Sequence, residues 1–266
     1  MRRHFLNLVM LLTLTAVVYS CQKKSETVNN EAVSQEVLNQ VAAMGFNNEG
    51  VIAADGGYIV EGDIFIPTSD LGKKVNSPSL LVASEEQYRT TNLVSVSGGT
   101  RTISVSINTT ASYFVSALDE AIARYNAENL TLQFQRVTGT GDINIVTYYE
   151  VSNTLGSAGF PSGGNPYNQI RMNTYWYNAN TNINYLATII AHEMGHCIGF
   201  RHTDYMNRAY SCGGRRYNEG TAGVGAIHIP GTPTSADPNS WMLACIGSGV
   251  NRPFNANDKI ALNYLY

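Results

Sequence analysis

Charge is scarce in this chain of 266 residues: Asp, Glu, Lys and Arg make up 14% of it, and the formal net charge is −3. No Lys/Arg patch is dense enough to follow a phosphate backbone, which excludes nucleic acid as a partner. Internal repeats are missing too, so the chain is not a solenoid or propeller array. Cysteine is sparse, with Cys21, Cys197, Cys212 and Cys245 as the full set. Histidine is concentrated rather than plentiful, since three of the four that follow the N-terminal stretch fall between positions 192 and 202. No Ser, His and Asp set offers a credible nucleophilic triad. What abounds is Gly, Asn, Ser, Thr and Tyr, the composition of a sheet- and loop-rich extracytoplasmic protein. The length suits one well-filled domain with a modest extra segment.

The first twenty residues read as an export signal. Arg2 and Arg3 form a positive start, and the apolar stretch 5–18 is too short to span a bilayer comfortably. A small residue, Ser20, then directly precedes Cys21. This arrangement resembles a bacterial lipobox, which implies removal of residues 1–20 and lipid attachment to Cys21. The resemblance implies a protein that is exported and anchored to a bacterial membrane. Gln22, in place of an inner-membrane retention aspartate, points to the outer membrane or cell surface. The alternative is an ordinary signal peptide with an incidental cysteine. Cys197, Cys212 and Cys245 then remain, and an odd count leaves at least one unpaired. Cys212 and Cys245, in loop-rich sequence, are the better candidates for a disulfide, although spacing alone does not fix the pairing.

After a polar tether at 22–30, Val33, Val37, Val41 and Met44 recur at helical spacing and predict a short amphipathic helix within 31–44. Residues 58–67 read as a strand and 68–91 as polar loop. A boundary is expected between a small segment, residues 21–95, and a main domain, residues 96–266. The main domain opens on alternating Ile103, Val105 and Ile107, a half-buried strand. Phe114, Leu118, Ala121, Ile122 and Tyr125 mark one helix face. Strands are expected at 130–137, 143–149, 156–161 and 169–173, and helices at 184–200 and 258–266. This order predicts an α+β domain on one twisted sheet, with an irregular C-terminal half.

The decisive segment runs His192-Glu193-Met194-Gly195-His196-Cys197-Ile198-Gly199-Phe200-Arg201-His202. On a helix, residues four apart share a face, so two imidazoles can reach one metal ion. Glu193 is turned away from a ligand role but can reach a water on that metal. Gly199 lets the chain leave the helix abruptly, and His202 returns as a third ligand. Three protein ligands with an open position are the pattern of a catalytic zinc site, whereas structural sites carry four. The alternative, a histidine-bearing core helix without metal, does not account for the added glycine and third histidine.

These residues match the extended zinc motif of the metzincin metalloproteases and, within that clan, are most similar to the dual-action HEIGH metallopeptidase family. The resemblance implies a zincin-like fold with a mostly parallel sheet and an active-site helix, and one catalytic Zn2+; it leaves calcium open. It also implies hydrolysis of protein or peptide substrates, with Glu193 as general base. A methionine turn is expected under the histidines, and Met242 stands forty residues after His202. Met242 could otherwise be a plain core residue. Residues 155–161 resemble the edge strand on which such enzymes lay an extended substrate. Two positions depart from the astacin branch: Ala244 replaces a tyrosine near the metal, and Thr203 replaces a glutamate that bonds the mature N-terminus. Asp204 either supports the site or caps local backbone.

Upstream, Val60-Glu61-Gly62-Asp63-Ile64 resembles the acidic motif of astacin pro-segments, whose aspartate blocks the metal. Asp63 is therefore a candidate latency switch, the alternative being a Gly62-Asp63 turn before a strand. Two other functions stay open: a surface lipoprotein with a silent zinc site, and an amidase or self-limited processing factor.

Overall fold

Helix α1 (Gln35–Ala43) opens the computed structural model, which describes residues 32–73, 87–221, 223–233 and 236–266. The export signal, Cys21 and the tether at 22–30 lie outside the described residues. Ser34 sets the start of α1 by accepting a hydrogen bond from the Val37 amide, so the helix begins later than its apolar spacing suggests.

Where one strand was expected at 58–67, the structure has β1 (Ile52–Ala54), β2 (Gly57–Val60) and β3 (Ile64–Pro67) in an antiparallel meander. The break falls at Glu61 and Gly62, whose φ of 54° and 91° turn the chain between β2 and β3. The apolar alternation on both sides conceals that turn in the sequence. Strand β4 (Tyr88–Arg89) follows, then β5 (Arg101–Ile107), α2 (Ser112–Asn126), β6 (Leu132–Arg136), β7 (Ile143–Tyr148), β8 (Gly156–Ala158), β9 (Gln169–Asn173) and α3 (Ile183–Ile198). The C-terminal half adds only α4 (Ala209–Cys212), β10 (Ile227–His228) and α5 (Ala256–Leu265).

The main sheet runs β1-β2-β3-β8-β9-β7-β5-β6. Pairing is parallel from β9 through β7 and β5 to β6, and again between β3 and β8; β8 is antiparallel to β9. The result is the mixed α and β architecture, with a mostly parallel sheet, that the zinc motif implied. Helices α2 and α3 cover the sheet and bury Leu118, Tyr125, Leu186 and Ile190 against Ile103, Val105 and Ile145. The Tyr125 hydroxyl donates to the Ala191 carbonyl at 2.8 Å, which fixes α2 to the helix that carries the motif.

A smaller core lies under the meander, where Val41, Met44, Phe46, Val60, Ile64 and Ile66 cluster with Phe160 and Val224 against them. The long C-terminal stretch is irregular but well tied. Cys212 and Cys245 form a disulfide, and Cys197 is free and buried within α3. Asp258 completes a capping box with Asn255 at the start of α5 and also accepts from Gln87 at 2.6 Å and from the Trp241 amide at 3.3 Å. Among the described residues, no helix is long and apolar enough to cross a membrane.

Candidate metal centre

Asn182 starts the helix that carries the centre by accepting from the amides of Asn184 and Tyr185. Gly199 ends it at φ 112°, a left-handed position where a side chain would also strike Leu93. That exit turns Arg201 and His202 back toward the face bearing His192 and His196.

All three imidazoles are held by their Nδ1 atoms. His192 bonds the Trp241 carbonyl at 2.8 Å, His196 the Phe200 carbonyl at 2.9 Å, and His202 the Glu219 carboxylate at 2.8 Å. Each of these partners is an acceptor, so each Nδ1 carries the proton and each Nε2 presents a lone pair. The Nε2 of His196 stands 3.1 Å from that of His192 and 3.2 Å from that of His202. Asp63 Oδ2 lies 3.0 Å from His202 Nε2 and 3.5 Å from His192 Nε2. Four acceptor atoms crowded in this way repel one another unless a cation sits among them. Ligands about 2.0–2.1 Å from a tetrahedral zinc ion lie about 3.3 Å apart, so the observed spacings fit that ion. The donor set, three imidazoles and a carboxylate, suits zinc as well.

Asp63 comes to the centre on the β2–β3 turn. The turn is fastened to the strand expected to receive substrate: Ile64 pairs in parallel with Ala158 of β8, and the Ala158 amide donates to the Asp63 carbonyl at 2.9 Å. The edge expected to be open at 155–161 is therefore occupied by β3.

Glu193 is buried beside the centre. Its Oε2 has no hydrogen-bond partner among the described residues, and burial followed by the Asp63 carboxylate pushes its pKa well up. Gly156 of β8 makes room for it, since a Cβ there would lie 3.0 Å from Glu193 Oε1.

Met242 packs directly beneath the motif, where a Cβ on Gly195 would come within 2.6 Å of its sulfur. The same turn touches both ends of the ligand set, through Trp241 to His192 and through the Met242 carbonyl, which accepts from Thr203 at 2.9 Å. Asp204 accepts from Ser211 and from the Ala244 amide at 3.0 Å, so it caps loop backbone.

Sequence reasoning missed Glu219, Glu61 and Arg201. Glu219 lies in irregular sequence with no spacing to betray it. It holds His202 and accepts from Arg208 at 3.1 Å. Arg201 is buried between Glu61 at 3.3 Å and Glu219 at 3.5 Å. An arginine inside the zinc motif, next to a ligand, was the available signal.

A family model described as dual-action HEIGH metallo-peptidase matches residues 59–266. The match begins within β2, so the Asp63 turn is included. Two solved structures of myroilysin are similar in part. One is 14% identical, covers 66% of this chain and 96% of its own, and has a TM-score of 0.42. The other is 16% identical, covers 73% and 93%, and has a TM-score of 0.40. No curated protein matches the chain.

Proposed function

Because the chain belongs to the dual-action HEIGH metallopeptidase family, we propose that it is an exported, lipid-anchored zinc endopeptidase made as a latent precursor. The zinc metallopeptidase class follows from the family and the group of three histidines and Asp63. Its substrates are proteins or peptides.

His192, His196 and His202 hold the ion through Nε2, each kept in the right tautomer by its Nδ1 partner. When bound, zinc acts as a Lewis acid on the scissile carbonyl and lowers the pKa of a water. Glu193 is the general base: its unpartnered Oε2 takes the proton of the attacking water and returns it to the departing amine. Met242 supports the ligands from below, through its contact at Gly195.

The observation that carries latency is Asp63 Oδ2 at the fourth corner of the ligand set, delivered by a turn whose following strand covers β8. The tether and pro-segment lie within residues 21–95 and end before Gln87. Within that range, the Thr90 amide donates to the Gly199 carbonyl at 2.8 Å and the Arg201 amide to the Tyr88 carbonyl at 2.9 Å. A processing cut before Gln87 would leave those bonds in place. Export and the lipid on Cys21 are supported by the sequence of the first 21 residues.

The test is hydrolysis of a mixed peptide library by zinc-loaded chain lacking residues 1–21, beside Asp63→Ala and Asp63→Ala/Glu193→Ala. Slow cleavage by the parent, a gain of at least about tenfold in Asp63→Ala and loss in the double variant are expected. Equal rates for the parent and Asp63→Ala would sink the latency reading.

A further inference from the structure

We propose that Arg252 is a specificity-determining residue that selects a carboxylate side chain in the substrate next to the scissile bond. The proposal deepens the peptidase reading and rests on it.

A cavity of about 380 Å³ opens beside His192 and Glu193, lined on one side by Tyr185 and Ile189 of α3 and on another by Leu243 and Ile246. Two cations reach its wall, Arg208 and Arg252. Arg208 is already committed, because it donates to Glu219 at 3.1 Å. Arg252 is not. Its only side-chain hydrogen bond among the described residues runs from Nη1 to the Cys245 carbonyl at 3.0 Å, and none of those residues sets a carboxylate within ion-pair distance of it.

The acids that act on Arg252 from farther away are employed elsewhere, Asp204 with Ser211 and Ala244, and Asp258 with Gln87 and Trp241. A half-buried guanidinium without a counter-ion is costly to fold around, and an apolar wall strengthens its attraction for an incoming anion. Its planar fork matches a carboxylate better than it matches an amide.

The position of Arg252 is also fixed relative to the chemistry. Its amide donates to the Thr188 hydroxyl at 3.0 Å, and Thr188 sits one turn before His192 on α3. The cation is thus tied to the metal-bearing helix, and its Nη1 bond ties it to the loop that follows Met242. A substrate side chain entering this cavity would lie among its apolar walls with Arg252 as the uncommitted cation of the lining.

The experiment maps cleavage sites in a proteome-derived peptide library with the zinc-loaded Asp63→Ala chain and with Arg252→Gln, Arg252→Lys and Arg252→Glu added to it. Asp or Glu is expected to be favoured at one subsite over Asn or Gln by about 10- to 100-fold. That ratio should fall to near one in Arg252→Gln, persist in part in Arg252→Lys and turn toward Lys or Arg in Arg252→Glu. A purely structural Arg252 would change overall rate and leave the ratio alone, and that result overturns the proposal. In parallel, peptide hydroxamates with Asp or Asn beside the metal-binding group are titrated against the Asp63→Ala/Glu193→Gln chain. Tighter binding of the Asp probe, lost with Arg252→Gln, upholds the subsite even if no peptide is cut, and the peptidase reading alone then fails. Equal binding of both probes overturns the subsite.

Discussion

The three imidazoles of the centre are oriented by two main-chain carbonyls and one carboxylate, and only the carboxylate can be altered by substitution. Glu219→Gln exchanges the acceptor of the His202 proton for a weaker one. It is expected to lower zinc affinity by about 10- to 100-fold, measured by competition with a chromophoric chelator; unchanged affinity would mean that the helix exit alone positions His202. Glu193→Ala should keep one zinc per chain and lose about 10²- to 10⁴-fold in peptide hydrolysis. At this scale the sequence was informative where chemistry depends on spacing. The four-residue step from His192 to His196 and the glycine before His202 are helical geometry written in letters. Glu219 and Glu61 were hidden because each reaches the site through a loop or turn, and such paths leave no periodic trace.

Among the elements, the turn that carries Met242 is tied on both sides. It is bound to His192 and Thr203 on one side and to Asp258 of α5 on the other, and the Cys212–Cys245 bond closes the loop behind it. That bond closes a loop of 33 residues, so Cys212→Ser/Cys245→Ser should cost about 2–4 kcal/mol in chemical unfolding. Asp258 offers a test with a defined sign. Burial pushes its pKa up to about 7, so the native state holds a proton there that the unfolded chain gives up near pH 4. Its contribution is full below about pH 4 and fades as pH rises through 7. In metal-free protein, Asp258→Asn should therefore flatten the fall in melting temperature between pH 4 and 7 relative to the parent. An identical slope in both would show that Asp258 is ionised throughout. The helices and the longer strands were legible from periodicity, as with the buried face of α2. Strands β4 and β10, two residues each, are too short to carry a pattern, and the β2–β3 turn was masked by apolar residues on both sides.

On the scale of the whole molecule, the N-terminal part is a piece of the sheet and, in the proposed reading, also the inhibitor. Burial of Val60, Ile64 and Ile66 is worth about 1.5–3 kcal/mol each, so loss of Asp63 alone should free the metal while β3 stays on β8. Asp63→Ala is accordingly expected to remain slower than chain from which the segment has dissociated, with size-exclusion chromatography reporting the dissociation. Membrane attachment is a separate test: Cys21→Ser should move the protein from the membrane fraction to the soluble one. The central claim is that the chain closes its own zinc centre. X-ray absorption at the zinc edge on the zinc-loaded parent chain tests it most directly. Three imidazole nitrogens and one carboxylate oxygen are expected, with the oxygen replaced by water in Asp63→Ala. A spectrum that Asp63→Ala leaves unchanged would contradict it.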